Sequence, residues 1–205
     1  MDKTSLNKKQ LTAIIALPIL TLTMVIIYRL FARLFGRKTA WYAGFLVYWP
    51  VWCIFFPLKM IGTKKLRDLF KWHRPNTLGW FMLIFPPAIT FLGRFVLDKQ
   101  PRQAKEKTIL VFMSFMNGIL EEVLWRGVYI ELFPNNPLWG NIWPTIWFAL
   151  WHYAPGSISP LADVWTLMVG AGVLGALLSW VTKQSRSVCL AAASHTISGL
   201  VQSLC

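Results

Sequence analysis

Acidic residues are scarce in this sequence: eight Asp and Glu stand against 21 Lys and Arg, for a formal net charge of +13. Cysteine is scarcer still. Cys53, Cys189 and Cys205 have no metal-ligand spacing and are too few for a disulfide framework. Position 202, four from the end, is Gln, so no C-terminal prenylation signal is expected. No small-x-small cleavage site follows the first apolar run, which is therefore expected to remain as a membrane span. Internal repeats, low-complexity tracts and linkers are missing, which argues against a second domain. The basic residues form no helical stripe interleaved with aromatics. This speaks against nucleic acid as a partner and for anionic lipid head groups.

What the chain has in quantity is apolar surface. Hydrophobic residues make up 56% of it, with 12 Trp and a mean hydropathy of +0.50, more than a soluble domain of this size needs to fill a core. Runs of roughly 18 or more mostly apolar residues read as transmembrane helices. The expected fold is all-α: one polytopic transmembrane helix bundle over residues 1–205. About seven spans are expected, at 11–28, 40–58, 77–97, 108–133, 142–154, 164–182 and 188–204. Trp41, Tyr42, Tyr48, Trp49 and Trp52 suit an interfacial belt. The basic stretch 59–76, with His73 as a solvated histidine, is expected to lie along the head groups, and 98–107 to be a connecting loop. Lys and Arg lie only slightly in excess on the amino-terminal side, which orients that terminus toward the cytoplasm.

The chemistry concentrates in Phe112 to Phe133, where Glu121, Glu122 and Arg126 interrupt an otherwise apolar segment. An ionisable group at membrane depth costs roughly 2.5–3.5 kcal/mol on insertion scales and tends to mark a site. Glu122 and Arg126 are i,i+4 neighbours on a helix and can pair. Glu121 points about 100° away from Glu122, so Arg126 does not neutralise both. Asn117, one turn earlier, is placed to steady Glu121. A lone Glu–Arg pair can serve packing only; a surplus carboxylate has no such role.

Two histidines lie inside spans, His152 and His195. Counting back at ~1.5 Å per residue puts Glu121, His152 and His195 within about two turns of one depth. A glutamate in an apolar cavity can act as general base, and an imidazole can donate to a developing oxyanion. A zinc site on Glu121, His152 and His195 is the competing chemistry, although the HExxH spacing is absent. Ser194 and Ser198 point elsewhere on the helix of His195, against a Ser–His dyad. A proton-relay transporter is a further reading, with no inverted repeat to support it.

Three motifs resemble those of the CAAX protease and bacteriocin-processing family of intramembrane proteases, which includes the type II CAAX prenyl endopeptidases. Glu121-Glu122-Val123-Leu124-Trp125-Arg126 matches EExxxR and Phe148-Ala149-Leu150-Trp151-His152 matches FxxxH. His195-Thr196-Ile197-Ser198-Gly199 departs from HxxxN by carrying glycine in place of asparagine. The resemblance covers about 108–204. It implies a peptidase acting on a membrane-associated or lipidated protein or peptide; no cofactor is expected, with zinc the alternative, and a bacterial or archaeal plasma membrane is the expected location. Glu121 and His152 would activate water, and His195 would hold the oxyanion. Glu122, Arg126 and Phe148 complete the motifs. Gln202, two turns after His195, and Asn117 are candidates to replace the missing asparagine. If neither does, the chain is a catalytically weak or inactive member that binds or regulates a partner.

Overall fold

The computed structural model describes residues 6–97, 104–159 and 163–204. Seven principal helices occur among them, and no strand. Helix α1 is Lys8–Phe35, α2 is Arg37–Asp68, α3 is Thr77–Leu97 and α4 is Ala104–Leu132. Helix α5 is Trp143–Trp151, entered through a wide turn at Leu138–Ile142 and followed by a short turn at Tyr153–Gly156. Helices α6, Val164–Ser185, and α7, Cys189–Leu204, complete the bundle. Helices α1, α2, α4 and α6 are each long and apolar enough to cross a membrane, and Thr77–Gly93 is a shorter apolar helix. The protein is an integral membrane helix bundle.

Local chemistry sets the helix ends. Asn7 caps α1 by accepting from Gln10 N–H at 3.0 Å, while the Gln10 side chain returns a bond to Asn7 N–H. Gly36 has φ +78°, a conformation open to glycine, and lets α2 begin one residue after α1 ends. Asp163 caps α6 through Thr166 N–H at 2.9 Å.

Two expectations about segments need correction. The stretch 59–76 is not a loop throughout: α2 continues to Asp68, bent at Gly62, where φ is again +78°. Its basic side chains stay exposed while Met60 and Ile61 turn inward, so a helix satisfies both demands. In the stretch 98–107, residues 104–107 are helical; 98–103 lie outside the described residues, as does Cys205. His73 is exposed in the segment before α3, as expected.

The amino-terminal half holds the carboxy-terminal half by side-chain-to-backbone bonds. Gln10 Nε2 donates to Leu132 O at 2.8 Å, Tyr129 Oη to Ala13 O at 2.8 Å, and Trp143 Nε1 to Ile14 O at 3.1 Å. Each bond satisfies a backbone carbonyl that membrane burial would otherwise leave costly. Helices α4 and α7 run antiparallel. Lys107 Nζ reaches Leu204 O at one end, and Glu122 meets His195 toward the other. Glycines let them approach: a side chain at Gly118 would strike Thr196, and one at Gly199 would come within 2.9 Å of Ser114 Cβ and Oγ. A seam of hydroxyls runs along the same contact, with Ser114 Oγ 3.0 Å from Ser203 Oγ and Ser203 Oγ donating to Gly199 O at 2.7 Å.

Candidate active site

Helix α4 is α-helical as far as Glu122 and then widens to a π turn over Val123–Gly127, where Val128 N–H bonds Val123 O. Such i→i+5 turns are rare and often sit at functional positions. Here the turn begins directly after the paired carboxylates. It leaves Glu122 and Arg126 within reach of each other: Arg126 Nη1 donates to Glu122 Oε1 at 3.0 Å, both side chains fully enclosed.

His195 completes the cluster from α7. Its Nδ1 lies 2.8 Å from Glu122 Oε1, and its Nε2 lies 3.9 Å from Glu121 Oε2. A carboxylate oxygen only accepts, so Nδ1 carries the proton of the bond to Glu122. Glu122 is thus committed to both Arg126 and His195. Glu121 keeps one oxygen, Oε1, without a hydrogen-bond partner among the described residues. The His195 side chain retains 13% of its exposure, against 2% for Glu121, so the imidazole is the open side of the cluster.

Phe148 lies at its centre. The Arg126 guanidinium sits over the Phe148 ring at 4.2 Å, and the ring meets His152 edge-on at 4.6 Å and His195 at 6.2 Å. The aromatic face attracts a buried cation that carboxylates cover only in part. His152 Nδ1 is 2.7 Å from Phe148 O. That carbonyl only accepts, so in the neutral ring Nδ1 carries the proton and Nε2 the lone pair. No hydrogen bond joins His152 to Glu121 among the described residues; His152 adjoins the cluster across Phe148.

Four residues have surroundings that spacing along the chain does not reveal. Asn117 Oδ1 accepts from Trp49 Nε1 at 2.8 Å, so the amide oxygen is taken by α2. Gln202 is exposed on α7. Tyr48 and Trp49, expected at a lipid interface, are buried. Tyr48 stacks on Trp151 with ring centroids 4.3 Å apart and accepts from Trp125 Nε1 at 2.8 Å. An aromatic count along α2 does not reveal this, because the partners come from α4 and α5. The hydroxyls of Ser194 and Ser198 donate to Leu83 O and Ser194 O, at 2.6 and 2.9 Å. Both are occupied with backbone.

Fold and site together define a polytopic membrane protein with an enclosed carboxylate–imidazole–guanidinium cluster. The family model described as type II CAAX prenyl endopeptidase Rce1-like matches residues 104–201, the segment from α4 to α7 that carries all three motifs. This supports the CAAX protease and bacteriocin-processing family, a family of intramembrane endopeptidases, for the chain. Searches of curated proteins and of solved structures return no significant match.

Proposed function

We propose that the protein is an intramembrane, glutamate-dependent endopeptidase that hydrolyses a peptide bond in a membrane-associated or lipidated protein or peptide. The observation that carries this reading is the unequal commitment of two adjacent carboxylates. Arg126 and His195 both bond Glu122 Oε1, at 3.0 and 2.8 Å, while Glu121 Oε2 meets His195 only at 3.9 Å; each carboxylate keeps its other oxygen unpartnered among the described residues.

In this reading Glu121 takes a proton from water as the water oxygen attacks the scissile carbonyl carbon. Electrons move onto the carbonyl oxygen, and that oxyanion accepts a hydrogen bond from a proton that this reading places on His195 Nε2. The C–N bond then breaks. The proton held by Glu121 passes to the departing amine, leaving a carboxylic acid and an amine as products. His152, with its Nδ1 proton given to Phe148 O, offers the Nε2 lone pair as a second acceptor that orients the water. The reading includes no resident metal. Chelation and metal analysis test that part of it directly. Membrane lipids are the other partner and nucleic acid is not; the reading puts the protein in a bacterial or archaeal plasma membrane.

The test is cleavage of a peptide panel, including farnesylated CAAX-type peptides, by purified protein. Glu121→Gln is expected to abolish cleavage, and unchanged turnover in that variant overturns the reading. Gly199 favours a second one, a weak or inactive family member that binds or regulates a membrane partner, because the glycine faces Ser114 and offers no amide to an oxyanion. That reading predicts binding of membrane proteins without turnover across the whole panel.

A further inference from the structure

We infer that Gly175, on α6 and outside the three motifs, is a positioning residue. Its missing side chain seats the Arg126 guanidinium, which holds Glu122 and, through it, His195. The inference rests on the endopeptidase reading above and deepens it. Helix α6 carries three glycines, Gly170, Gly172 and Gly175, although glycine weakens a helix interior relative to alanine. Their surroundings differ. A Cβ at Gly170 would meet nothing within 4 Å, and one at Gly172 would make an ordinary contact, 3.4 Å from Ala149 Cβ. A Cβ at Gly175 would lie 3.1 Å from Arg126 Nη2, 3.1 Å from Phe148 Cδ1 and 3.4 Å from Thr145 Cγ2. The first two are closer than a carbon atom rests against its neighbours without strain.

A long side chain at the surface would swing out of such a contact. Arg126 is enclosed: its Nη1 donates to Glu122 Oε1 at 3.0 Å, and its face lies on the Phe148 ring at 4.2 Å. Phe148 is hemmed in turn by the Trp125 ring at 5.5 Å and the His152 ring at 4.6 Å. Cation and ring would both meet the added carbon, and neither yields without disturbing the other. Nε and Nη2 have no hydrogen-bond partner among the described residues, so the fork is oriented by its Nη1 bond, by Phe148 and by the bare backbone at Gly175. Pressed at Nη2, it must tilt on its Nη1 anchor. The oxygen at that anchor, Glu122 Oε1, also takes the His195 Nδ1 proton at 2.8 Å. One atom added on α6 is therefore felt at the imidazole by way of three contacts.

The experiment uses the full chain in nanodiscs, with isotope-labelled arginine, and reads two signals. The first is turnover of a fluorogenic farnesylated CAAX-type peptide. The second, independent of activity, is the Arg126 Nε–H nuclear magnetic resonance cross-peak, identified by its loss in Arg126→Lys. Gly175→Ala is expected to lower kcat about 10- to 100-fold at unchanged KM, as for a small misplacement of a group in the site, and to shift that cross-peak. Gly170→Ala, the same change on the same helix with open space around it, is expected to move neither signal. An unmoved cross-peak in Gly175→Ala, turnover like that of the wild type, or a Gly170→Ala variant that reproduces Gly175→Ala overturns the inference. If Gly175→Ala folds poorly, the double change Gly175→Ala, Arg126→Lys decides. Lysine ends in one compact nitrogen, so recovery of folded protein traces the fault to the guanidinium, and no recovery overturns the inference. Turnover that survives Glu121→Gln overturns the endopeptidase reading instead, while the cross-peak still reports on Gly175.

Discussion

His195 aims Nδ1 at Glu122, 2.8 Å away, and leaves Glu121 to its other nitrogen at 3.9 Å. The second carboxylate of the EExxxR motif is thus the one that orients the imidazole. A carboxylate that holds an imidazole in this way governs which ring nitrogen faces the reacting atoms. Glu122→Gln should keep the shape and remove the charge, with turnover falling by at least ~100-fold. Initial rates with protein matched for folded fraction check this. A variant within twofold of the wild type would remove Glu122 from the machinery.

Arg126 sits in the same enclosure, with Nε and Nη2 unpaired and its face on Phe148. Arg126→Leu removes one partner of a buried pair and leaves Glu122 dependent on His195 alone. The expected loss of stability is about 3–5 kcal/mol, visible as a lower thermal midpoint in detergent. The double change Arg126→Leu, Glu122→Leu should recover much of it, since the desolvation cost of both ions goes too.

Gly199 stands where the family motif has asparagine, and the intuitive repair is to restore it. The structure predicts the opposite result. Side-chain atoms at 199 come within 2.9 Å of Ser114 Cβ and Oγ and press on the hydroxyl seam between α4 and α7. Gly199→Asn alone should cost about 1–3 kcal/mol by overpacking and raise no activity. Joined to Ser114→Gly it should fold like the wild type. Thermal melts and cleavage assays on the three variants check both statements.

If water activation belongs to Glu121 without a metal, EDTA and 1,10-phenanthroline should leave the cleavage rate unchanged, and elemental analysis of active protein should find less than ~0.1 equivalent of zinc. Loss of activity that returns on adding zinc would reverse the metal-free assignment.

Asp163 provides a pH test at the start of α6. Hydrogen bonds from Thr166, first its backbone N–H and then its hydroxyl, hold the Asp163 carboxyl below its ordinary value of 3.8. A lowered folded value means the cap is fully present above the unfolded pKa and is lost as pH falls through the folded one. Amide exchange in the first turn of α6 should therefore accelerate only below about pH 4, a window set by that ordinary value. Asp163→Asn, which accepts without ionising, should remove the acceleration.

Helix positions were legible because apolar runs of membrane length leave little choice of structure. The Glu122–Arg126 pair was legible because i,i+4 spacing is a property of one helix, and so was the divergence of Glu121 from it. What could not be read came from other helices. Tyr48 looks like any interfacial tyrosine until Trp125 and Trp151 close on it. Asn117 sits one turn before Glu121 as expected, and the Trp49 indole that bonds its oxygen comes from another helix. The closeness of α4 and α7 at Gly199 depends on a facing serine 85 positions away in sequence, which spacing rules do not connect. The π turns carry no residue signature either, since an extra residue in a turn is set by packing beyond it.

That widened turn at Val123–Gly127 makes the site depend on chain length as well as residue identity. Winding the same residues in the ordinary way would swing everything downstream by about 100° relative to the two glutamates. Tyr129 would lose its grip on Ala13, and the bond that ties α1 to α4 would go with it. The register of one helix thus sets both the aim of the acid and the closure of the bundle around it.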